Sequence, residues 1–167
     1  ADLPVGLASG VDWIAQSFVR TAEEIRELRA YIRTLGYNTP IISKLEDQSA
    51  LRHLESIVAE TDAVMVARGD LGVEIPLEEL PIAQGRIVDS CLRHGKPVVV
   101  ATHMLESMIT APFPSRAEIT DIAHAVWQKA DCVMLSAETS LGKFPLECVQ
   151  TLEKISSRVE ASQAIEY

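Results

Sequence analysis

Four short apolar runs in this chain each stop at a small group of polar residues. Those groups hold most of the side chains able to do chemistry. Ile41-Ile42 leads into Ser43-Lys44-Leu45-Glu46, and Ala63-Val64-Met65-Val66 into Ala67-Arg68-Gly69-Asp70. Val98-Val99-Val100 leads into Ala101-Thr102-His103, and Cys132-Val133-Met134-Leu135 into Ser136-Ala137-Glu138. Lys44 and Glu46 are two apart, so on an extended segment they share a face. That spacing serves either a solvated ion pair or a hard-metal carboxylate ligand with an ammonium beside it. Asp70, between Gly69 and Gly72, reads as a turn aspartate or as a second oxygen ligand. The glycines would let backbone N–H groups turn toward an anion. Two carboxylates from neighbouring strands, with positions left open, suit Mg²⁺ or Mn²⁺. Thr102 offers a hydroxyl to nearby backbone, to a substrate or to a proton relay. His103 reads as a structural histidine or a base. Ser136 and Glu138 repeat the strand-end pattern more weakly, and Arg68 and Ser17 complete the candidates. Arg68-Gly69-Asp70 also spells a cell-adhesion tripeptide, for which an acidic cytosolic domain is the wrong setting.

Apolar runs of this length, separated by helix-length amphipathic segments, read as buried parallel strands. In βα folds the ligand site lies at the carboxyl ends of such strands, which would gather these residues around one mouth. A first strand is expected over Trp13 to Phe18, ending at Ser17-Phe18-Val19-Arg20. Thr21 with Glu24 forms a capping box for a helix with Ile25, Leu28, Ile32 and Leu35 on one face, closed by Gly36. The second strand runs through Ile42. Asp47 caps one following helix with Leu51, Leu54, Ile57 and Val58 on its apolar face. After the third strand, Ala63 to Val66, a loop is expected from Gly69 to Pro76, then a helix from about Leu77 to His94. Pro81 is tolerable only in that helix's first turn. The fourth strand is Val98 to Ala101, followed by a short helix around Met104, Leu105 and Met108. Ser115 with Glu118 caps a helix to about Gln128. The last strand is Cys132 to Leu135 and the last helix about Leu146 to Glu160. This is βα repeated about five times, consistent with an open doubly wound sheet or part of a (β/α)8 barrel. A complete barrel takes ~250 residues, more than the 167 here.

Composition narrows the partners. Hydrophobic residues make up 47% and charged residues 23%, an ordinary globular balance. The net charge of −9 argues against nucleic acid or an anionic membrane as main partner. An anionic small substrate remains compatible if a metal or local cations reverse the field. Cys91, Cys132 and Cys148 form no C-x-x-C pair, which fits reduced thiols in a cytoplasmic setting. No stretch reads as a membrane span or a signal peptide. No P-loop, G-x-G-x-x-G or zinc-type cluster is present. The chain starts at Ala1, inside a structured-looking segment, as a piece of a longer protein would.

The run Ile42-Ser43-Lys44-Leu45-Glu46, the run from Met65 through Arg68-Gly69-Asp70 to Glu74, and the run Ala101-Thr102-His103-Met104-Leu105-Glu106-Ser107-Met108 resemble pyruvate kinase. Arg116-Ala117-Glu118 and Ala130-Asp131-Cys132-Val133-Met134-Leu135-Ser136 continue the match in order, from about Gly10 to Val159. The resemblance implies the last five βα units of a (β/α)8 TIM barrel. The first three strands, the lid domain, the C-terminal regulatory domain and most potassium ligands would lie outside residues 1–167. It implies phosphoryl transfer from phosphoenolpyruvate to ADP, giving pyruvate and ATP, in a cytoplasmic homo-tetramer. Lys44 would stabilise the transferring phosphoryl group, and Glu46 and Asp70 would hold Mg²⁺ or Mn²⁺. Gly69 and Asp70 would offer backbone N–H groups to the substrate carboxylate, and Thr102 would bind substrate and help deliver a proton. The isolated chain is expected to be weakly active or inactive. Two departures stand out: His103 where the family usually has glutamine, and Ala137 where it usually has glycine, whose methyl is expected to crowd the backbone. Two other readings remain. One is a Mg²⁺-dependent aldolase or lyase of pyruvate-like acids. The other is a non-catalytic fragment self-associating through its outer strands.

Overall fold

The computed structural model describes residues 2–163. The chain divides after Val98 into two compact units. In the first, helix α1 (Asp2–Ala8) precedes β1 (Ile14–Gln16), α2 (Ala22–Thr34), β2 (Ile41–Leu45), α3 (Gln48–Arg52), α4 (Leu54–Glu60) and β3 (Ala63–Ala67). Helix α5 (Arg68–Glu74), a 3₁₀ turn (Leu77–Glu79) and α6 (Leu80–His94) follow. The second unit carries β4 (Val98–Ala101, straddling the division), a 3₁₀ turn (Glu106–Ile109), α7 (Arg116–Trp127), β5 (Cys132–Met134), α8 (Ala137–Ser140) and α9 (Pro145–Gln163). These are the expected five βα units.

All strand pairings within the units are parallel. Ile14 lies opposite Ile41, Lys44 opposite Met65, and Val99 opposite Cys132. Strand β3 is buried along nearly its whole length, as a parallel strand covered on both faces must be. Strand β2 alternates, with Ile41, Ser43 and Leu45 buried and Ile42 and Lys44 half-buried. Ser43 is a polar residue in the core face, and it is satisfied. Its hydroxyl bonds Thr61 Oγ1 at 2.9 Å, and that oxygen lies 3.0 Å from the Ile41 carbonyl. Asp62 accepts from the Ile41 N–H at 2.8 Å and pairs with Arg29 at 2.9 Å. The turn before β3 is thus tied to the start of β2. Ile25 and Ile32 of α2, and Leu54, Ile57 and Val58 of α4, are buried. Each such side chain contributes about 1.5–3 kcal/mol relative to exposure.

Five local expectations are corrected. The segment from Gly69 to Pro76 is not a loop: Arg68–Glu74 is a helix starting directly after β3. Its buried Leu71 repays the two glycines. It ends where Ile75 takes an extended backbone, as a residue before proline must. The helix after Asp47 is two helices broken at His53. Strand β2 extends through Leu45 rather than stopping at Ile42, so Lys44 belongs to the sheet. Strand β1 covers only three residues, because Phe18 turns into the left-handed region with φ 52°. The Met104–Met108 helix is a 3₁₀ turn with Met104, Leu105 and Met108 buried. Gly95 closes α6 with φ 62°, a left-handed cap for which glycine pays no Cβ penalty.

Asp47 Oδ1 accepts the Ala50 N–H at 3.0 Å, the cap read from sequence, while Oδ2 pairs with Arg20 Nε. Burial pushes the Asp47 carboxyl up, but the Arg20 guanidinium and the Ala50 N–H outweigh it and hold it below the usual carboxylate range. A carboxyl depressed in the folded state contributes stability above the unfolded value, and loses it as pH falls through the folded one. We therefore expect the urea midpoint to fall below about pH 4. Asp47→Asn, which keeps the cap but not the charge, should flatten that fall. Asp47→Ala should also cost about 1 kcal/mol at neutral pH. An acid limb unchanged in the asparagine variant would show that this pair is not responsible.

Candidate functional site

The first unit gathers Ser17, Lys44 and Glu46. Glu46 follows β2 directly and is 1% exposed. Its Oε1 lies 2.6 Å from Lys44 Nζ. Its Oε2 accepts the backbone N–H of Phe18. The left-handed turn at Phe18 is what aims that N–H at the carboxylate. Lys44 Nζ also donates to Ser17 Oγ at 3.1 Å. The expected ion pair is therefore real but not solvated on the carboxylate side. Holding a buried carboxylate needs this full set of partners.

Gly69 and Asp70 occupy the first turn of α5, immediately beyond β3, with Asp70 exposed. An aspartate there complements the helix dipole. Gly72 uses no left-handed backbone; an added Cβ would meet only Leu80 Cδ2 at 3.5 Å and Leu77 Cδ1 at 4.0 Å. Its value is accordingly not the turn freedom expected from sequence. Arg68 is turned inward, 7% exposed, with Nη1 3.4 Å from Gln84 Oε1 on α6. It ties α5 to α6.

Metal fit rests on Glu46 and Asp70. Among the described residues no group of three or more His, Cys, Asp or Glu side chains forms a ready cage. Two carboxylates with the remaining positions left to water and substrate is the habit of Mg²⁺ and Mn²⁺, not of a closed all-protein site. Each ionised carboxylate oxygen has a second lone pair, so the hydrogen bonds to Glu46 do not use up its ligand capacity. The donor set fits.

The second unit gathers Thr102, His103 and Ser136 around a cavity of about 150 Å³, also lined by Glu106, Ile109, Ala137 and Glu138. Thr102 and His103 are consecutive non-glycine residues in the left-handed region, φ 71° and 54°. Strain of this kind costs roughly 1–3 kcal/mol per residue and persists where the surroundings impose it. The Thr102 hydroxyl donates to the Ala101 carbonyl at 2.6 Å. The side chain of His103 is 60% exposed, its Nε2 3.9 Å from Glu106 Oε2. Ala137 takes a right-handed helical backbone at the start of α8, so no left-handed conformation there calls for glycine. The glycine that close packing requires is Gly142 instead, where a Cβ would come within 2.3 Å of the Glu138 carbonyl.

Glu138 is the residue whose weight the sequence understated. It is 2% exposed, and its carboxylate accepts the Leu105 N–H at 3.1 Å and the Ser136 N–H at 2.7 Å. One buried anion thus clamps the segments after β4 and β5. Glu118 does the same one step outward, accepting the Ser107 N–H, the Ser107 hydroxyl and the Ser115 N–H at 2.7, 2.6 and 2.6 Å. Burial pushes the Glu118 carboxyl up, but the Ser107 and Ser115 bonds outweigh it and hold it below the usual range. Glu138→Ala leaves the buried Leu105 N–H and the half-buried Ser136 N–H unpaired, the buried one costing about 1–3 kcal/mol. We expect a drop in denaturant midpoint and faster hydrogen exchange at Leu105 and Ser136. Unchanged exchange there would refute the clamp.

Comparison with known proteins adds the lineage. The family model described as pyruvate kinase, barrel domain, matches residues 1–149. Pyruvate kinase 1 of Trypanosoma brucei brucei is 51% identical over 98% of this chain and 32% of its own length. The pyruvate kinase of Methylorubrum extorquens is 50% identical over 95% of this chain and 33% of its length. Pyruvate kinase 2 of Synechocystis is 46% identical over 95% and 27%. The chain spans about a third of the length of these relatives. With five parallel βα units and a family match over nearly all of them, it belongs to the pyruvate kinase barrel-domain family, as a partial (β/α)8 barrel.

Proposed function

We propose that the protein containing this chain transfers a phosphoryl group from phosphoenolpyruvate to ADP, giving pyruvate and ATP, with this chain supplying part of the catalytic barrel. The observation that carries the reading is the buried Glu46 carboxylate held 2.6 Å from Lys44 Nζ at the carboxyl end of β2, in a chain of this family. Glu46 and Asp70 would hold Mg²⁺ or Mn²⁺, which when bound supplies Lewis-acid polarisation of substrate oxygens. Lys44 is held by Ser17 and Glu46, so its ammonium is oriented before substrate arrives. Such preorganised charge stabilises a transferring phosphoryl group without reorganisation during the reaction. Gly69 and Asp70 would bind the substrate carboxylate through their backbone. Thr102 would bind substrate and pass the proton, with His103 and Ser136 shaping the same cavity. Arg68 would steady α5 from beneath. Potassium would serve the full-length enzyme through ligands mostly outside this chain. A cytoplasmic homo-tetramer would be the working form. Cysteines held as thiols rather than disulfides support a reducing compartment, and among the described residues no helix is long and apolar enough to cross a membrane.

The test is Mn²⁺ titration of the 167-residue chain with and without oxalate, a dianion shaped like the enolate of pyruvate. Saturable binding that tightens with oxalate supports a preformed half-site. No binding by a chain folded by circular dichroism would mean that this segment does not build the site alone.

A further inference from the structure

Each residue of the segment that follows β1 is anchored. Ser17 Oγ accepts from Lys44 Nζ at 3.1 Å. The Phe18 N–H donates to Glu46 Oε2. Val19 is fully buried. Arg20 is held at three points. Its Nε donates to Asp47 Oδ2, and its N–H donates at 2.7 Å to Glu24 Oε2 in the first turn of α2. Its carbonyl lies 3.1 Å from Nδ1 of His53, at the break between α3 and α4. Two straps therefore join the ends of β1 and β2 side by side, because Asp47 follows Glu46 in the chain. Phe18 to Glu46 is the inner one, and Arg20 to Asp47 the outer one. The inner strap carries strain. Phe18 sits at φ 52°, where a non-glycine residue costs roughly 1–3 kcal/mol and persists only if its surroundings impose it. The Phe18 side is 53% exposed, so packing of its ring is not what imposes the turn. Buried Val19 and the three tethers of Arg20 are the constraints next to it.

We propose that Arg20 is a positioning residue for the metal site: its ion pair with Asp47 holds the Phe18 turn, and through that turn it fixes the orientation of the Glu46 carboxylate. The proposal rests on Glu46 being a ligand for Mg²⁺ or Mn²⁺. Groups that orient a ligand without touching the metal typically set its affinity by about 10–100-fold. Charge alone predicts the opposite sign. A guanidinium near a divalent cation repels it, so removing Arg20 would tighten binding if Coulomb repulsion were its only influence. Loss of the Asp47 partner would leave one more uncompensated carboxylate beside Glu46 and push the same way. Weaker binding on removal of a nearby cation is therefore the mark of positioning.

The experiment measures two quantities on the 167-residue chain: Mn²⁺ affinity with and without oxalate, and hydrogen exchange at the Phe18 amide. Arg20→Met is expected to weaken Mn²⁺ binding about 10–100-fold and to speed Phe18 exchange by at least about tenfold. Arg20→Lys, which keeps a cation within reach of Asp47, should recover most of both. Arg26→Met removes an exposed pairing with Glu23 and Glu60 in the same unit and should change neither. The Arg20 side chain is 58% exposed, so its variants should fold. Unchanged or tighter Mn²⁺ binding in Arg20→Met overturns the proposal, and so does an unchanged Phe18 exchange rate. An equal loss in Arg26→Met would mark general destabilisation and overturn it too. A parent chain that binds no Mn²⁺ overturns the metal half of the proposal for this chain. Phe18 exchange, which needs no metal, then separately decides whether Arg20 holds the turn.

Discussion

Glu46→Gln is expected to abolish oxalate-enhanced Mn²⁺ binding by the chain. In the whole protein it should lower turnover by at least about 10³-fold. The substitution is isosteric, so it isolates charge from shape. The glutamine oxygen could still accept the Phe18 N–H, and the backbone turn at φ 52° would keep its partner. What is lost is an anionic ligand and the counter-charge 2.6 Å from Lys44 Nζ. Removing one partner of a fully buried pair costs about 3–5 kcal/mol. The side chain of Lys44 is 26% exposed, so water can solvate the orphaned ammonium and the cost should fall below that range. The variant should therefore fold and be measurable. Metal binding within a few-fold of the parent would remove Glu46 from the ligand set.

The second large effect separates the two halves of the same pair. Lys44→Met should lower phosphoryl transfer in the whole protein by about 10³–10⁵-fold, the range for a cation aimed at a transferring phosphoryl group. Mn²⁺ binding by the chain should survive and tighten. Nζ no longer competes for Oε1, and a buried carboxylate without its ammonium gains more from a divalent cation. The two variants thus differ in kind: one loses metal and turnover, the other turnover alone. If Lys44→Met lost Mn²⁺ as completely as Glu46→Gln, the pair as a unit would be building the site, and the division of roles proposed here would fail.

Several features of the site were plain in the one-dimensional pattern. Lys44 and Glu46 at a spacing of two predicted a shared face, and they touch. Asp47 announced itself as a cap, and Ser115 with Glu118 as a capping box; both bonds are present. Each of these is a local relation, fixed by a few residues of backbone geometry and readable from residue type and offset. What escaped the reading depends on distant neighbours. Arg68 stood only as a further candidate until Gln84, sixteen residues on, gave it a buried partner. Glu138 looked like a repeat of a weak pattern until Leu105, thirty-three residues back, supplied an N–H. The helix at Arg68–Glu74 contradicts its two glycines because burial of Leu71 outweighs a weak local propensity.

By itself, then, the sequence determined the order of five βα units, the lineage, and which residue types stand at the strand ends. It did so because apolar periodicity and short-range hydrogen bonding are encoded within a turn or a strand. The tertiary structure alone decided that Glu46 is dry rather than solvated and that Phe18 donates to it from twenty-eight residues away. It also decided that Thr102 and His103 are held left-handed at a cavity mouth. Desolvation and backbone strain arise from the sum of packed neighbours, and no local window of sequence contains that sum.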